Sequence, residues 1–115
     1  MKNVKQVIIV RKDINMNKGK LSAQVAHASM KVLIDNMSKK IIHINKNYIK
    51  NEYKLEFYKD SNWDEWLNGI FTKIVLGCEN KEELLEIYKK SKNSNLPCSL
   101  ILDSGKTVFD EPTYT

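Results

Sequence analysis

Apolar residues along the chain alternate between short continuous runs and helical repeats. The runs are rich in β-branched side chains and are typical of strands buried on both faces. They predict three strands, at residues 5–11, 71–78 and 98–102. The repeats predict three helices, at residues 19–38, 64–68 and 81 to about 94. The order strand, helix, strand, helix, strand predicts an α/β fold: a single domain over residues 1–115, with a mixed, mainly parallel sheet of about four strands and helices on both faces.

The stretch KKIIHINKNYIKNEYKLEFYKDSN, residues 39–62, has no clear periodicity. Its isoleucines indicate either a short strand or a continuation of the preceding helix. Aromatic residues interleaved with lysines can stack on single-stranded nucleic acid. We favour instead an irregular helix whose aromatic side chains pack on the domain.

Charge is distributed unevenly along the 115 residues, which carry a formal net charge of +5. Residues 1–20 hold six basic side chains and one acidic one, and residues 39–60 hold six and three. Residues 61–115 hold six basic and nine acidic side chains. Positive charge concentrated in the first strand, its loop and the middle segment favours a polyanionic partner contacted through phosphates. A lysine-rich composition alone could also produce this concentration of positive charge.

Several classes of protein are disfavoured by what the sequence lacks. No apolar run approaches the roughly 20 residues of a membrane span, and the N-terminus has no signal-peptide pattern. Cys78 and Cys98 are isolated, so we expect free thiols in a reducing cytoplasm. Neither a CxxC pair nor a metal-ligand spacing is present, so no metal and no cofactor is expected.

The polar side chains of the first helix form a stripe beside a basic loop. Lys20, Gln24, His27 and Lys31 recur at helical spacing, directly after the loop that follows the first strand. Ligands of parallel sheets collect beyond the carboxyl ends of strands, where this loop and the segment 103–107 both lie. We therefore expect these two segments to converge on one site, although about 80 residues separate them along the chain.

Two blocks of sequence resemble one known family. The first is the strand followed by VRKD, a lysine-glycine-lysine and AQVAHA within residues 10–28; the second is LPCSLILDSGKT, residues 96–107. Together and in this order they resemble the peptidyl-tRNA hydrolase family of archaeal and eukaryotic type (type 2). The resemblance implies hydrolysis of the ester that joins a peptide to the terminal ribose of tRNA, which frees the tRNA for translation.

The resemblance also implies roles for individual residues. Lys20, Asp103 and Thr107 match catalytic positions. Lys20 would stabilise the oxyanion or a nearby phosphate, Asp103 would position the attacking water or hold Lys20, and Thr107 would orient the same water. His27 is a weaker catalytic candidate on the same stripe. The expected tRNA-binding residues are Arg11, Lys12, Lys18, Gln24, Lys31 and Lys106. A water-based mechanism without metal or cofactor is the simplest account of this set.

Members of the family continue past the segment that ends this chain into another strand. The resemblance therefore implies that the last strand is missing and that the domain is truncated at its C-terminus. An exposed sheet edge would then invite pairing with a second copy, a possible homodimer.

Two other functions compete with the hydrolase. Gly105-Lys106-Thr107 copies the end of a P-loop, but Leu100 stands where its first glycine is required, and no helix is predicted afterwards, so we reject a nucleotidase. A non-catalytic RNA- or tRNA-binding module of the same fold remains the alternative. The combination of Lys20, Asp103 and Thr107 favours the enzyme, because a pure phosphate binder has no need of the aspartate.

Overall fold

The computed structural model describes residues 4–102 and the backbone of residues 108–112. In chain order the elements are β1 (Lys5–Arg11), α1 (Lys18–Asp35), β2 (Ser38–His43), β3 (Ile49–Lys54), α2 (Asn62–Leu67), β4 (Thr72–Cys78), α3 (Lys81–Asn93), β5 (Cys98–Leu102) and β6 (Val108–Pro112). The α/β class and the three predicted strands and helices are confirmed, with boundaries that differ by a few residues.

The main sheet has four strands in the order β4-β1-β6-β5. β1 pairs in parallel with β4 along its whole length, from Lys5 opposite Thr72 to Arg11 opposite Cys78. β6 lies antiparallel to both β1 and β5. Because β6 reverses direction between them, β1, β4 and β5 all run the same way, and the sheet is mixed and mainly parallel in strand direction.

The sequence pattern did not predict β6. Its residues read Val-Phe-Asp-Glu-Pro, and two acidic residues and a proline disfavour a strand by intrinsic propensity. Pairing on both sides, with β1 and with β5, places the segment in the sheet. The further strand that the resemblance implies would follow Thr115, and it stays a prediction.

Alternate residues of β1 face two different helices. Ile8 and Val10 are buried with Ala28 of α1 and Ile101 of β5 on one side of the sheet. On the other side Ile9 is buried with Cys78 and Leu84, a residue of α3, and Val7 packs against them. The continuous apolar run of β1 is thus explained by a strand covered on both faces, and the prediction of helices on both faces is confirmed.

Residues 38–54 form a hairpin, which corrects our preference for an irregular helix. β2 and β3 pair with each other in antiparallel register and belong to a separate two-stranded sheet. The aromatic side chains do not pack on the domain as expected: Tyr48 is 66% exposed, Tyr53 56% and Tyr58 88%. The isoleucine-rich segment pairs with a neighbouring strand, and this pairing stabilises it more than its weak helical preference does.

A buried tryptophan ties the short helix α2 to the main sheet. Trp66 of α2 is buried, and its indole Nε1 donates a hydrogen bond to the backbone oxygen of Thr72 at 2.7 Å, which ties α2 to the start of β4. Neither Cys78, which is buried, nor Cys98, which is half-buried, is part of a disulfide. Within the described residues, none of the helices has the length and apolar character to cross a membrane.

The two adjacent leucines of α3 allow a matched test of the packing. Leu84 is fully buried, whereas Leu85 is 38% exposed. Leu84→Ala should lower the free energy of unfolding by about 2–5 kcal/mol because it leaves a cavity between α3 and the sheet. Leu85→Ala should cost less than about 1 kcal/mol, since most of the loss arises from buried atoms. Urea denaturation of both variants measures the difference, and equal losses would contradict this packing.

Candidate functional site

The carboxyl ends of β1 and β5 lie at the same edge of the sheet. Ile9, Asp110 and Leu100 stand in one row across β1, β6 and β5. Two residues further along the parallel strands, Arg11 and Leu102 therefore end side by side with β6 between them. The basic loop leaves the sheet at this edge after Arg11, and the sequence continues from Leu102 to Asp103. Residues 103–107 lie outside the described residues, so their convergence with the loop stays a prediction.

The N-terminus of α1 presents positive charge at this edge. Asn17 caps the helix by accepting a hydrogen bond from the backbone N–H of Lys20 at 2.8 Å. The first turn holds no acidic residue, whereas the first turns of α2 and α3 each hold two. Lys18 and Lys20 therefore add their charge to the positive end of the helix dipole, an arrangement that favours anions.

The side chains of Arg11 and Lys12 are engaged with neighbouring carboxylates. Arg11 donates two hydrogen bonds to Asp13, at 2.9 and 2.7 Å, and this pairing lowers the pKa of Asp13. Lys12 lies 2.8 Å from Glu79, whose hydrogen bond raises the lysine pKa. The Lys12 stem crosses Gly77 so closely that a Cβ there would lie 2.7 Å from it. Lys12 thus holds the loop against β4, whereas Arg11 is paired within the loop. The predicted contact of both cations with tRNA stays a prediction.

The polar stripe of α1 borders a cleft beside the end of β5. The cleft has a volume of about 390 Å³. Its lining consists of Gln24, His27, Met30, Lys31, Ile34, Ile101 and Leu102. The structure therefore brings three of the predicted site residues together with the strand end that precedes Asp103. Lys12 lies apart from them, toward β4 at the opposite side of the sheet.

Our sequence reasoning missed the apolar part of this cleft. Met30 and Leu102 are 55% and 74% exposed, unusually high for large apolar side chains beside a charged stripe. A helical projection of α1 places Met30 and Ile34 next to His27 and Lys31, and this spacing could have predicted the apolar wall of the cleft. The cleft can accept an apolar or aromatic group next to polar side chains.

Gln24 is a buried polar residue on the cleft wall. It is 4% exposed and makes no hydrogen bond through its side-chain amide to another residue of the described chain. Gln6, by contrast, is fully buried and exchanges two hydrogen bonds with Ser29, at 3.0 and 2.6 Å. A buried amide without a partner costs stability, so an amide retained in that state suggests a role in contacting a ligand.

Lys31 is held in place by a bridge between α1 and β5. Its ammonium lies 3.2 Å from the Oδ1 atom of Asp35, and the Oδ2 atom accepts a hydrogen bond of 2.6 Å from the buried Ser99 hydroxyl. Burial alone would raise the pKa of Asp35, but the hydrogen bonds from Ser99 and Lys31 outweigh it, so the pKa is lowered. The bridge fixes the cleft wall by joining the helix to the strand.

The other predicted site residues lie partly within and partly outside the described residues. Lys20 and His27 are exposed at the start and on the stripe of α1. Lys18 is exposed in the first turn. Asp103, Lys106 and Thr107 lie outside the described residues.

This α/β domain is suited to an anionic ligand that has an apolar portion. The edge of its sheet combines a cationic helix N-terminus with a polar stripe and a partly apolar cleft. A model of the family described as Peptidyl-tRNA hydrolase PTH2 matches residues 4–115. The chain belongs to this family.

Three relatives match nearly the whole chain. The peptidyl-tRNA hydrolase of Sulfolobus acidocaldarius is 38% identical over 113 residues, which cover 97% of this chain and 82% of the relative. That of Saccharolobus islandicus is 39% identical over 116 residues, with 97% and 81% covered. That of Saccharolobus solfataricus is 35% identical over 116 residues, again with 97% and 81% covered.

The lowered pKa of Asp35 predicts a pH-dependent contribution to stability. Because the folded pKa lies below the unfolded value, the carboxylate stabilises the fold fully above the ordinary aspartate pKa of about 4, and this stabilisation disappears as the pH falls through the folded value. Asp35→Asn should therefore lower the free energy of unfolding at pH 7 by about 0.5–1 kcal/mol, after allowance for solvent screening. At pH 2 the variant and the wild type should agree.

Glu86→Gln serves as the control for this test. Glu86 pairs with Lys90 across an exposed turn of α3, with side chains 65% and 75% exposed. Its replacement should change stability by less than about 0.5 kcal/mol at either pH. Urea denaturation at both pH values measures all three proteins, and a pH-independent effect of Asp35→Asn would contradict the bridge.

Proposed function

We propose that this chain hydrolyses the ester between the peptide and the terminal ribose of peptidyl-tRNA, and that the reaction takes place at the edge where β1 and β5 end. The observation that carries the proposal is the family match over residues 4–115. The cationic N-terminus of α1 and the adjacent cleft support it, because the substrate joins a polyanion to a peptide.

The proposed chemistry uses water as the nucleophile. Hydrolysis of an ester needs a group that orients the water and a donor that stabilises the oxyanion formed at the carbonyl. Lys20, at the cationic end of α1, would stabilise the oxyanion. Asp103 and Thr107 would orient the water, and His27 would assist from the stripe. The protons and charges balance without any other reactant: water adds across the ester, releasing a carboxylic acid and the ribose hydroxyl.

The cleft would hold the parts of the substrate next to the ester. Gln24 would offer its amide to the substrate, while Met30 and Leu102 would contact an apolar or aromatic portion of it. Lys18, Lys31 and Lys106, together with Arg11 and Lys12, would contact phosphates. We also propose a cytoplasmic location and a possible homodimer, which size-exclusion chromatography with light scattering would test.

The direct test of this function is release of peptide from peptidyl-tRNA by the purified protein. N-acetyl-aminoacyl-tRNA labelled in the amino acid is a suitable substrate. We expect the label to appear as free N-acetyl-amino acid and the tRNA to remain intact. Binding of the tRNA without release would instead identify a non-catalytic module.

Lys20 and Asp103 should act as one unit around the attacking water. Asp103→Asn removes the charge but keeps the size, and we expect single-turnover rates to fall about a hundredfold or more, as when one preorganised electrostatic group is removed. Lys20→Ala should do similar damage, and the double variant should be little slower than either single one. Melting curves should show all three proteins folded.

Lys18→Ala is the matched control for Lys20→Ala, since both lysines lie in the same exposed turn. It should weaken tRNA binding but leave the rate at saturating enzyme within about twofold, because a phosphate contact stabilises ground and transition state alike. Near-normal rates in a folded Asp103→Asn protein would overturn the proposed site.

The two buried glutamines give a second test of the cleft. Gln24→Met keeps the shape and removes an amide that has no partner in the described chain, so the melting temperature should stay or rise while turnover falls. Gln6→Met should instead lower the free energy of unfolding by about 1–3 kcal/mol, because the groups on Ser29 lose their partners. A clear loss of stability in Gln24→Met would contradict a ligand-directed amide.

A further inference from the structure

The β2–β3 hairpin presents one completely exposed face. Lys39, Ile41 and His43 of β2 stand opposite Tyr53, Asn51 and Ile49 of β3, and all six are exposed. On the other face Ile42 and Glu52 are half-buried, whereas Lys40 and Lys50 are exposed. The side chains of the exposed face are not part of the hydrophobic core.

The hairpin carries a high density of unpaired positive charge. Five lysines and one glutamate lie in residues 38–54, the lysines at 39, 40, 46, 50 and 54. None of these lysines forms an ion pair within the described residues, unlike Arg11, Lys12 and Lys31. The hairpin lysines are therefore available to an external anion. Arg11, Lys12 and Lys31, which lie nearer the sheet edge where β1 and β5 end, are partly neutralised by acidic neighbours.

Exposed aromatic rings lie among these cations. The Lys39 ammonium is 5.9 Å from the centre of the Tyr53 ring, and Tyr48 is 66% exposed in the loop between the strands. Aromatic platforms bordered by lysines bind nucleic acids, because the rings stack on bases while the cations contact phosphates. The centres of protein–protein interfaces are instead depleted of lysine, which disfavours a protein as the occupant.

The base of the hairpin, at Ser38, follows the C-terminal end of α1, whereas the N-terminal end of α1 lies at the sheet edge where β1 and β5 end. The 18 residues of α1 span about 27 Å. The stripe of Lys20, Gln24, His27 and Lys31 runs along this length, and β2 begins three residues after α1 ends. A polynucleotide with its 3′ end at Lys20 would have to extend well beyond its terminal nucleotide to reach the hairpin.

We propose that the β2–β3 hairpin is a second tRNA-contacting surface, which binds nucleotides upstream of the 3′-terminal ribose through Lys39, Lys46, Tyr48 and Tyr53. This inference rests on the proposed function and deepens it. The hairpin confers a preference for substrates attached to a complete tRNA over those attached to a single nucleoside. It does not touch the reacting ester.

Two substrates separate this contact from catalysis. One is N-acetyl-aminoacyl-tRNA, and the other carries the same N-acetyl-aminoacyl group on adenosine, which is too short to reach the hairpin. The double variant Lys39→Gln/Lys46→Gln should raise KM for the tRNA substrate about tenfold and leave its kcat unchanged. With the adenosine substrate both constants should equal those of the wild type. The log–log dependence of tRNA affinity on salt should become shallower by about 0.7–0.9 for each phosphate that the variant no longer neutralises.

Tyr53 tests the stacking contact. Tyr53→Ala should raise KM for tRNA severalfold, and Tyr53→Phe should restore it, because the ring and not the hydroxyl stacks on a base. Circular dichroism establishes that the variants fold. Lys81→Gln/Lys89→Gln, on α3, is the matched charge control and should leave KM for tRNA within about twofold, because both lysines lie outside the hairpin.

The outcomes distinguish this inference from the proposed function. A wild-type protein that releases N-acetyl-amino acid from neither substrate would disprove the hydrolase function itself. An active wild type whose hairpin variants keep the normal KM for tRNA would overturn the hairpin contact alone, and would assign the exposed face to another partner, such as a protein. An equal change with both substrates, or an equal effect of the α3 control, would also overturn it.

Discussion

The fold depends on β1, a strand buried on both faces and paired on both edges. Its alternate side chains enter two separate clusters, Ile8 and Val10 toward α1 and Ile9 toward α3. Its two edges hold β4 in parallel and β6 in antiparallel pairing. Burial of a continuous apolar strand removes a large apolar area from water, and the backbone groups of the strand must then find partners within the sheet. The basic loop is therefore attached to the most constrained element of the domain.

The position of the site follows from that constraint. The parallel direction of β1 and β5 brings the basic loop and the end of β5 at Leu102 to one edge, and α1, which follows the loop, covers the face between them. The cleft is formed where the stripe of α1 meets the end of β5, and the Lys31–Asp35–Ser99 bridge fixes the two elements to each other. The helix and the strand, joined in this way, hold the polar groups that border the cleft.

Positive charge in this protein serves two different purposes. Arg11 and Lys12 are paired with acidic neighbours and stabilise the loop geometry at the end of β1. The lysines of the hairpin form no ion pair within the described residues and contribute to the external field of the protein. Net charge alone does not separate these roles, since a paired cation and an unpaired one count equally in the sum. The distinction matters for a polyanionic substrate, because only unpaired cations release counterions on binding without breaking an internal pair.

The sequence by itself determined the α/β class, the strands at β1, β4 and β5, the helices, and the stripe of Lys20, Gln24, His27 and Lys31. These follow from local periodicity and capping, which are properties of contiguous residues; Asn17, Ser61 and Asn80 all act as N-caps. Two blocks of motif also indicated the family. What only the tertiary structure decided was β6, the hairpin, the pairing of Arg11 and Lys12, and the apolar wall of the cleft. Each of these depends on partners that periodicity does not reveal: a strand of low propensity forms because two neighbours accept its hydrogen bonds, and a lysine is neutralised because a glutamate more than 60 residues away lies beside it.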